Sequence, residues 1–337
     1  MKNLLAVVLL LLSPVATPAE VVEPEGTILS RQVVTLPDEA PAGVRQQVEG
    51  VVLEWIVYVS DGLAVEGYLA QPAGEIASPL PSVIYLRGGN RDFAALNPVR
   101  AAFLLGPLAQ RGYVVAATNY RGNGTYGAEH YPGERTCEVC EQRIGGEGRE
   151  EFGGAEVDDV LALLPLLEAL PEADASRVGL YGWSRGGMMT WLVLRRSDRF
   201  QAAIVGAGVS DFQASGEARP EMVEHVHAEL IPGWDDPEKR AAAIEARSAV
   251  RWADELPDET PVLLLHGTGD WRVAPTQSLD MAKAMLEAKK PFRLLMLEGG
   301  DHGLTEWREE VDRVVGEWLD RYVRDGEEWP SLEPHGR

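Results

Sequence analysis

Cationic side chains are scarce in this chain: 31 Lys plus Arg face 53 Asp plus Glu, a formal net charge of -22 over 337 residues. A surface that acidic repels phosphate backbones and anionic headgroups, so nucleic acid is a poor partner. Long apolar runs are missing as well. The N-terminal run from Leu4 to Leu12 falls short of the about 20 residues that cross a bilayer, which excludes a multi-pass membrane protein. Cysteine is nearly absent, with Cys137 and Cys140 as the whole complement. One C-x-x-C is half of a four-ligand zinc site with no second pair to complete it, and it leaves at most one tight local bridge. A local disulfide is favoured over redox catalysis or metal. No internal repeat is visible, and 45% hydrophobic with 25% charged residues excludes disorder and collagen-like order. What remains is a globular protein with a sizeable core.

The first residues read as an address. Lys2 precedes the apolar run, and Thr17-Pro18-Ala19 offers small residues for cleavage before Glu20. Residues 1–19 are therefore expected to be a signal peptide, with export to the periplasm or the exterior and no membrane attachment after cleavage. The alternative is an uncleaved anchor or a first buried helix. Residues 20–49, rich in Pro and Glu, are expected to be a loose leader, 50–325 one catalytic domain, and 326–337 a tail. Asn123-Gly124-Thr125 fits a glycosylation acceptor by pattern alone.

Within the domain, Val51 to Val59 and Leu63 to Ala70 are β-rich runs joined by Ser60-Asp61-Gly62, a hairpin signal. Short apolar runs at Ser82 to Leu86, Tyr113 to Thr118, Arg177 to Gly182, Ala202 to Gly206, Pro261 to His266 and Phe292 to Leu297 predict further strands. Helix-length stretches separate them. Val157, Val160, Leu161, Leu164 and Leu167 share a helix face that Pro165 should kink, and Trp307, Val311, Val314, Trp318 and Tyr322 mark a closing helix. Strands alternating with helices predict an α/β fold, a mostly parallel sheet covered on both faces and entered through an antiparallel hairpin. Residues 213–253 interrupt the alternation, and the helical run Asp236 to Asp254 is expected to form a small cap over the site.

The chemistry gathers at three strand ends. The strand at 177–182 runs into Gly182-Trp183-Ser184-Arg185-Gly186-Gly187 and then a helix, the G-x-S-x-G arrangement in the strand-turn-helix setting it requires. Side chains at 182 or 186 would crowd the tight turn that projects the Ser184 hydroxyl. A serine nucleophile needs a base and a group that orients the base. His266-Gly267-Thr268-Gly269-Asp270 and Gly299-Gly300-Asp301-His302-Gly303 close two later strands, where open α/β sheets place their ligands. The order Ser184, Asp270, His302 is that of the α/β-hydrolase fold. Asp301 is the competing acid, although a neighbour of His302 rarely reaches its ring.

With Asn119-Tyr120-Arg121-Gly122 and Val273 added, these segments resemble the catalytic domain of the prolyl oligopeptidase family of serine peptidases over roughly Val51 to Tyr322. The resemblance implies Ser184 as nucleophile, His302 as general base and acid, and Asp270 as its orienting partner. Larger members carry a β-propeller that filters peptides, and the residues ahead of the first hairpin are too few for one blade. Where members often show His-Gly-Gly or a Tyr, this chain has Leu86-Arg87-Gly88-Gly89-Asn90. The expected oxyanion donors are the amides of Arg185 and of Gly88 or Gly89, with a contribution from the Arg87 guanidinium left open. Arg87, Tyr120 and Arg272 are candidate substrate contacts. Arg87, Arg91, Arg121, Arg185 and Arg272 should ring the site, either to bind an anionic group of the substrate or tied to nearby carboxylates such as Asp92 or Glu129. His225 and His227 lie in a stretch that reads as helical, where i and i+2 diverge, which disfavours a metal pair. No cofactor is expected. The expected activity is acyl-bond cleavage through an acyl-enzyme, on short peptides or, in the alternative, on small or carbohydrate-linked esters; a binding protein on a hydrolase scaffold is the remote third reading. The oligomeric state is not legible.

Overall fold

A computed structural model describes residues 23–124 and 146–335. The signal-peptide segment, the Cys137 and Cys140 pair, Glu129 and Thr125 of the acceptor pattern lie outside the described residues.

Nine strands form one sheet: β1 (Ile28–Val33), β2 (Val51–Ser60), β3 (Leu63–Pro72), β4 (Leu80–Leu86), β5 (Val114–Thr118), β6 (Ala173–Trp183), β7 (Phe200–Gly206), β8 (Val262–Gly267) and β9 (Phe292–Leu297). Their order is β1-β2-β3-β5-β4-β6-β7-β8-β9. The first three are antiparallel, and everything from β5 to β9 is parallel, as the alternation of apolar runs with helices predicts. The parallel strands read as continuous apolar runs because both faces are covered. On one face lie α3 (Glu156–Leu161), α4 (Leu163–Glu168), α5 (Arg185–Arg196) and α8 (Thr276–Glu287). On the other lie α2 (Pro98–Gln110) and α9 (Arg308–Leu319), the second continued by a π turn at Asp320–Arg324.

Three expectations need correction. The leader is not loose: β1 pairs antiparallel with β2, opposing Arg31 to Ile56, and α1 (Ala42–Gln46) packs Val44 into the core. Arg31 reaches Glu54 at 2.7 Å, which offsets the burial of that carboxylate. The helix kinked at Pro165 is in fact two, broken at Ala162, because the proline ring clashes with the carbonyl four residues back, that of Leu161. The cap wall facing the site is built from α6 (Phe212–Ala218) and the helical stretch Pro220–Met222, Val223–His227, Ala228–Leu230. The predicted cap helix exists as α7 (Pro237–Ala246), but it packs behind α6 and contributes no residue to the cavity wall.

Candidate active site

The carboxyl ends of β4, β6 and β8 converge on a cavity of about 500 Å³. Ser184 follows β6 with φ 59° and ψ -120°, a conformation that a non-glycine residue adopts only under strain. The glycines explain how the turn closes. A Cβ at 182 would sit 2.0 Å from the Gly186 carbonyl oxygen, and one at 186 would sit 2.0 Å from that of Leu86. The Ser184 amide donates to Gly206 O of β7 at 2.8 Å, which pins the elbow to the sheet. Although Ser184 is the N-cap of α5, its hydroxyl makes no capping bond and remains available to the cavity.

Asp270 lies just past β8, and four donors hold its carboxylate. His302 Nδ1 is 2.7 Å from Oδ2, His266 Nε2 is 3.2 Å from the same oxygen, and the amides of Arg272 and Val273 donate to Oδ1 at 2.8 and 3.0 Å. Burial alone would raise its pKa, but hydrogen bonds from His266 and His302 outweigh it and hold the carboxyl well below the usual carboxylate range. The tautomers follow from the partners. His302 Nδ1 faces an acceptor, so it carries the proton and leaves Nε2 as the free lone pair. His266 Nε2 faces two acceptors, the Asp270 carboxylate and Val273 O at 3.0 Å, so its Nδ1 accepts from the Ser278 hydroxyl at 2.7 Å. Asp301 accepts instead from the amides of Gly303 and Thr305 at 2.9 and 3.1 Å, folding its own loop. Of the two candidate acids, Asp270 is the one on His302. The indole of Trp183 donates to His302 O at 2.8 Å and ties the histidine loop to the serine turn. Among the described residues the Ser184 hydroxyl makes no hydrogen bond to His302, although both line the same cavity.

Gly88 abuts the serine: a Cβ there would lie 3.1 Å from Ser184 Cβ and 3.7 Å from its Oγ. The amides of Gly88, Gly89 and Arg185 donate no hydrogen bond among the described residues, and all three residues line the cavity with Ser184. The Arg87 guanidinium is not a fourth. Its side chain is buried, and Nε, Nη1 and Nη2 donate to Asn119 O, Gly88 O and Arg91 O, each at 3.1 Å. Burial, followed by repulsion from Arg185, pushes its pKa down to about 10.

Arg91, Arg121 and Arg185 are tied to carboxylates, as the pairing alternative expected, although not to Asp92. Arg185 is buried against Glu150 and Glu156, donates to Gly89 O at 3.1 Å, and sits 4.7 Å from the ring centroids of both Tyr120 and Phe152. Arg121 pairs with buried Asp159 at 2.9 Å, and Arg91 with Glu229. Tyr120, expected at the substrate, is fully buried, donates its hydroxyl to Arg87 O at 3.0 Å and does not line the cavity. Arg272 does line it. Its guanidinium lies 5.1 Å from the Trp271 ring and 5.7 Å from the Phe93 ring, and among the described residues it has no ion pair. Opposite, Phe152, Met188, Phe212, Met222 and His227 make an apolar wall. His225 is exposed while His227 is buried, and among the described residues no cluster of His, Cys, Asp or Glu is arranged to hold a metal.

Sequence reasoning missed His266 as the second support of Asp270, although it stands at a buried strand end. It also missed Glu150 and Glu156. The one available signal was that an arginine next to Ser184 must be paired if buried, which does not say by which of many carboxylates.

A family model described as the prolyl oligopeptidase family matches residues 101–326, which include Ser184, Asp270 and His302 but not the Gly88 loop. The chain is similar to a Bacillus subtilis protein named uncharacterized peptidase YtmA, 30% identical over 242 residues, covering 72% of this chain and 82% of that one. It is 27% identical to uncharacterized peptidase YuxL of the same organism, covering 83% of this chain but 40% of the longer relative. Among solved structures, an acylaminoacyl peptidase of Pyrococcus horikoshii superposes with a TM-score of 0.65 at 19% identity, over 86% of this chain and 45% of that one, and shows the shared α/β-hydrolase fold.

Proposed function

The chain belongs to the prolyl oligopeptidase family and is a serine hydrolase, and from that premise we propose that it is a peptidase cleaving short peptides through an acyl-enzyme on Ser184. The observation that carries this reading is the His302 to Asp270 bond of 2.7 Å, which holds Nδ1 on the acid and so orients the imidazole in the cavity that holds Ser184.

His302 Nε2 takes the Ser184 proton as Oγ bonds to the scissile carbonyl carbon. The resulting oxyanion lies against the amides of Arg185 and Gly88 or Gly89, where the loss of one donor costs about 100- to 1,000-fold. His302 then gives its proton to the departing amine nitrogen as the C–N bond breaks. Water, deprotonated by the same histidine, attacks the ester, and Ser184 regains its proton as the acid leaves. Asp270 stays ionised throughout and fixes the imidazole tautomer. At the rim, Arg272 offers its guanidinium to a carbonyl or carboxylate of the substrate.

The test is kcat/KM on paired p-nitrophenyl esters and aminoacyl p-nitroanilides, with Ser184→Ala as the blank. Anilide and ester turnover should both fall by about 10⁴- to 10⁶-fold in the variant. Ester turnover without any anilide turnover would replace the peptidase with a carboxylesterase, and no difference from the blank would remove the catalytic reading altogether.

A further inference from the structure

A second cavity, of about 640 Å³, opens between α2 and α9 on the other side of the histidine loop. Tyr85, Leu104 and Trp183 line both it and the catalytic cavity, so the two adjoin rather than lie apart. Gly303, the residue after His302, lines the second cavity and brings it next to the histidine. Each helix gives the wall an apolar part, Phe103 and Leu108 on one side and Val311 and Val315 on the other, beside the polar Gln110, Arg111 and Arg313. Tyr85 and Tyr181 form the base, their rings edge to face at 5.3 Å. Neither phenol has a hydrogen-bond partner among the described residues, and burial pushes both pKa values up, so each is a neutral donor with nothing to donate to. Arg308 closes the outer end, 4.4 Å from the Phe103 ring and paired with Asp312 at 2.8 Å.

The chemistry of the proposed reaction decides what belongs here. The group that leaves is the group His302 protonates, so the leaving side of the substrate lies beside that histidine. The acyl side then takes the Phe152, Met188 and Phe212 wall, across Ser184. We propose that the chamber between α2 and α9 binds a large apolar or aromatic residue on the leaving-group side of the scissile bond, with the Tyr85 and Tyr181 hydroxyls donating to its backbone carbonyls. This rests on the peptidase reading. It makes the enzyme selective on both sides of the cut, and because Trp183 bonds His302 O, a filled chamber steadies the histidine loop.

The experiment uses internally quenched peptides of one fixed acyl half, with Gly, Asp, Leu or Phe as the first leaving-side residue. The full-length enzyme should cut the Phe and Leu peptides at least about 10-fold faster in kcat/KM than the Gly peptide, in the range that apolar pockets achieve. A Phe to Gly ratio near one, or a preference for Asp, overturns the proposal without any variant. Val311→Phe, which fills the chamber, should bring the ratio towards one. Phe103→Ala, at a partly exposed wall position that tolerates truncation, should lower it by about threefold, with thermal melts confirming the fold of each. A ratio that stays unchanged in folded variants also overturns it. If no peptide is cleaved while esters are, the peptidase reading has failed separately. The chamber is then judged on benzyl against methyl esters of one acid, where the alcohol is the leaving side, and an equal rate on the two rejects it.

Discussion

Arg185 stands one residue past Ser184, yet its guanidinium is turned into the interior, with only 2% of the side chain exposed. Two buried carboxylates hold it there, and through Gly89 O it holds the loop that carries the free amides beside Ser184. Breaking a buried pair by deleting one partner leaves an uncompensated charge and typically costs about 3 to 5 kcal/mol. Arg185→Met should therefore lower stability by about that amount. It should also lower kcat by about 10-fold or more at nearly constant KM, since the amides meet full negative charge only in the transition state. Arg185→Lys, which keeps the charge but not the fork, should recover part of both losses. Steady-state kinetics beside urea unfolding checks this, and a raised KM with unchanged kcat would rule out the positioning role. Ser184, Asp270 and His302 were legible in the sequence because each stands at a strand end beside glycines that make sense only for a tight turn. Glu150, Glu156 and His266 were not, because pairing across the fold leaves no local spacing to read.

The helices over the cavity carry a titratable ring in an apolar setting. His227 stacks on Phe212 at 4.3 Å between ring centroids, with Phe152 and Trp234 each at 5.5 Å. Burial, then the positive charge of Arg247, pushes its pKa down to about 4. The unfolded chain, with an ordinary histidine near 6.5, binds the proton first as pH falls. Stability is therefore undiminished above about pH 6.5 and is lost progressively between 6.5 and 4, by about 3 kcal/mol at the low end. His227→Phe preserves the stack and removes the titration, so the variant should lose less stability than the parent between pH 7 and 4.5. Urea midpoints at the two pH values decide it, and parallel losses would mean that His227 does not carry the acid sensitivity. Elements such as β5 and β8 were legible because a strand buried on both faces leaves an unbroken apolar run. The edge strand β1 was not, since only Ser30 among its residues is buried, and neither was the order in which α6 and α7 stack, which tertiary packing alone sets.

At the scale of the whole molecule, a net charge of -22 surrounds a cavity whose rim carries Arg272 without an ion pair among the described residues. The two fields act over different distances. The summed negative charge slows the approach of any anionic substrate, and salt weakens it because the Debye length is about 10 Å at 0.1 M and about 3 Å at 1 M. The guanidinium acts at contact, partly shielded by Trp271 and Phe93, and is screened less. For a peptide with a free carboxylate near the scissile bond, kcat/KM should therefore rise between 0.05 and about 0.5 M NaCl, whereas for a cationic peptide it should fall. Arg272→Ala should keep the rise with salt and lower the rate on the carboxylate peptide at every salt concentration, because it removes the contact and leaves the field. Stopped assays across that salt range on amidated and free-acid forms of one peptide separate the two effects. If Arg272→Ala instead lowered the rate only at low salt, steepening the rise, and left the high-salt rate intact, the arginine would act by steering, and the contact assigned to it would be wrong.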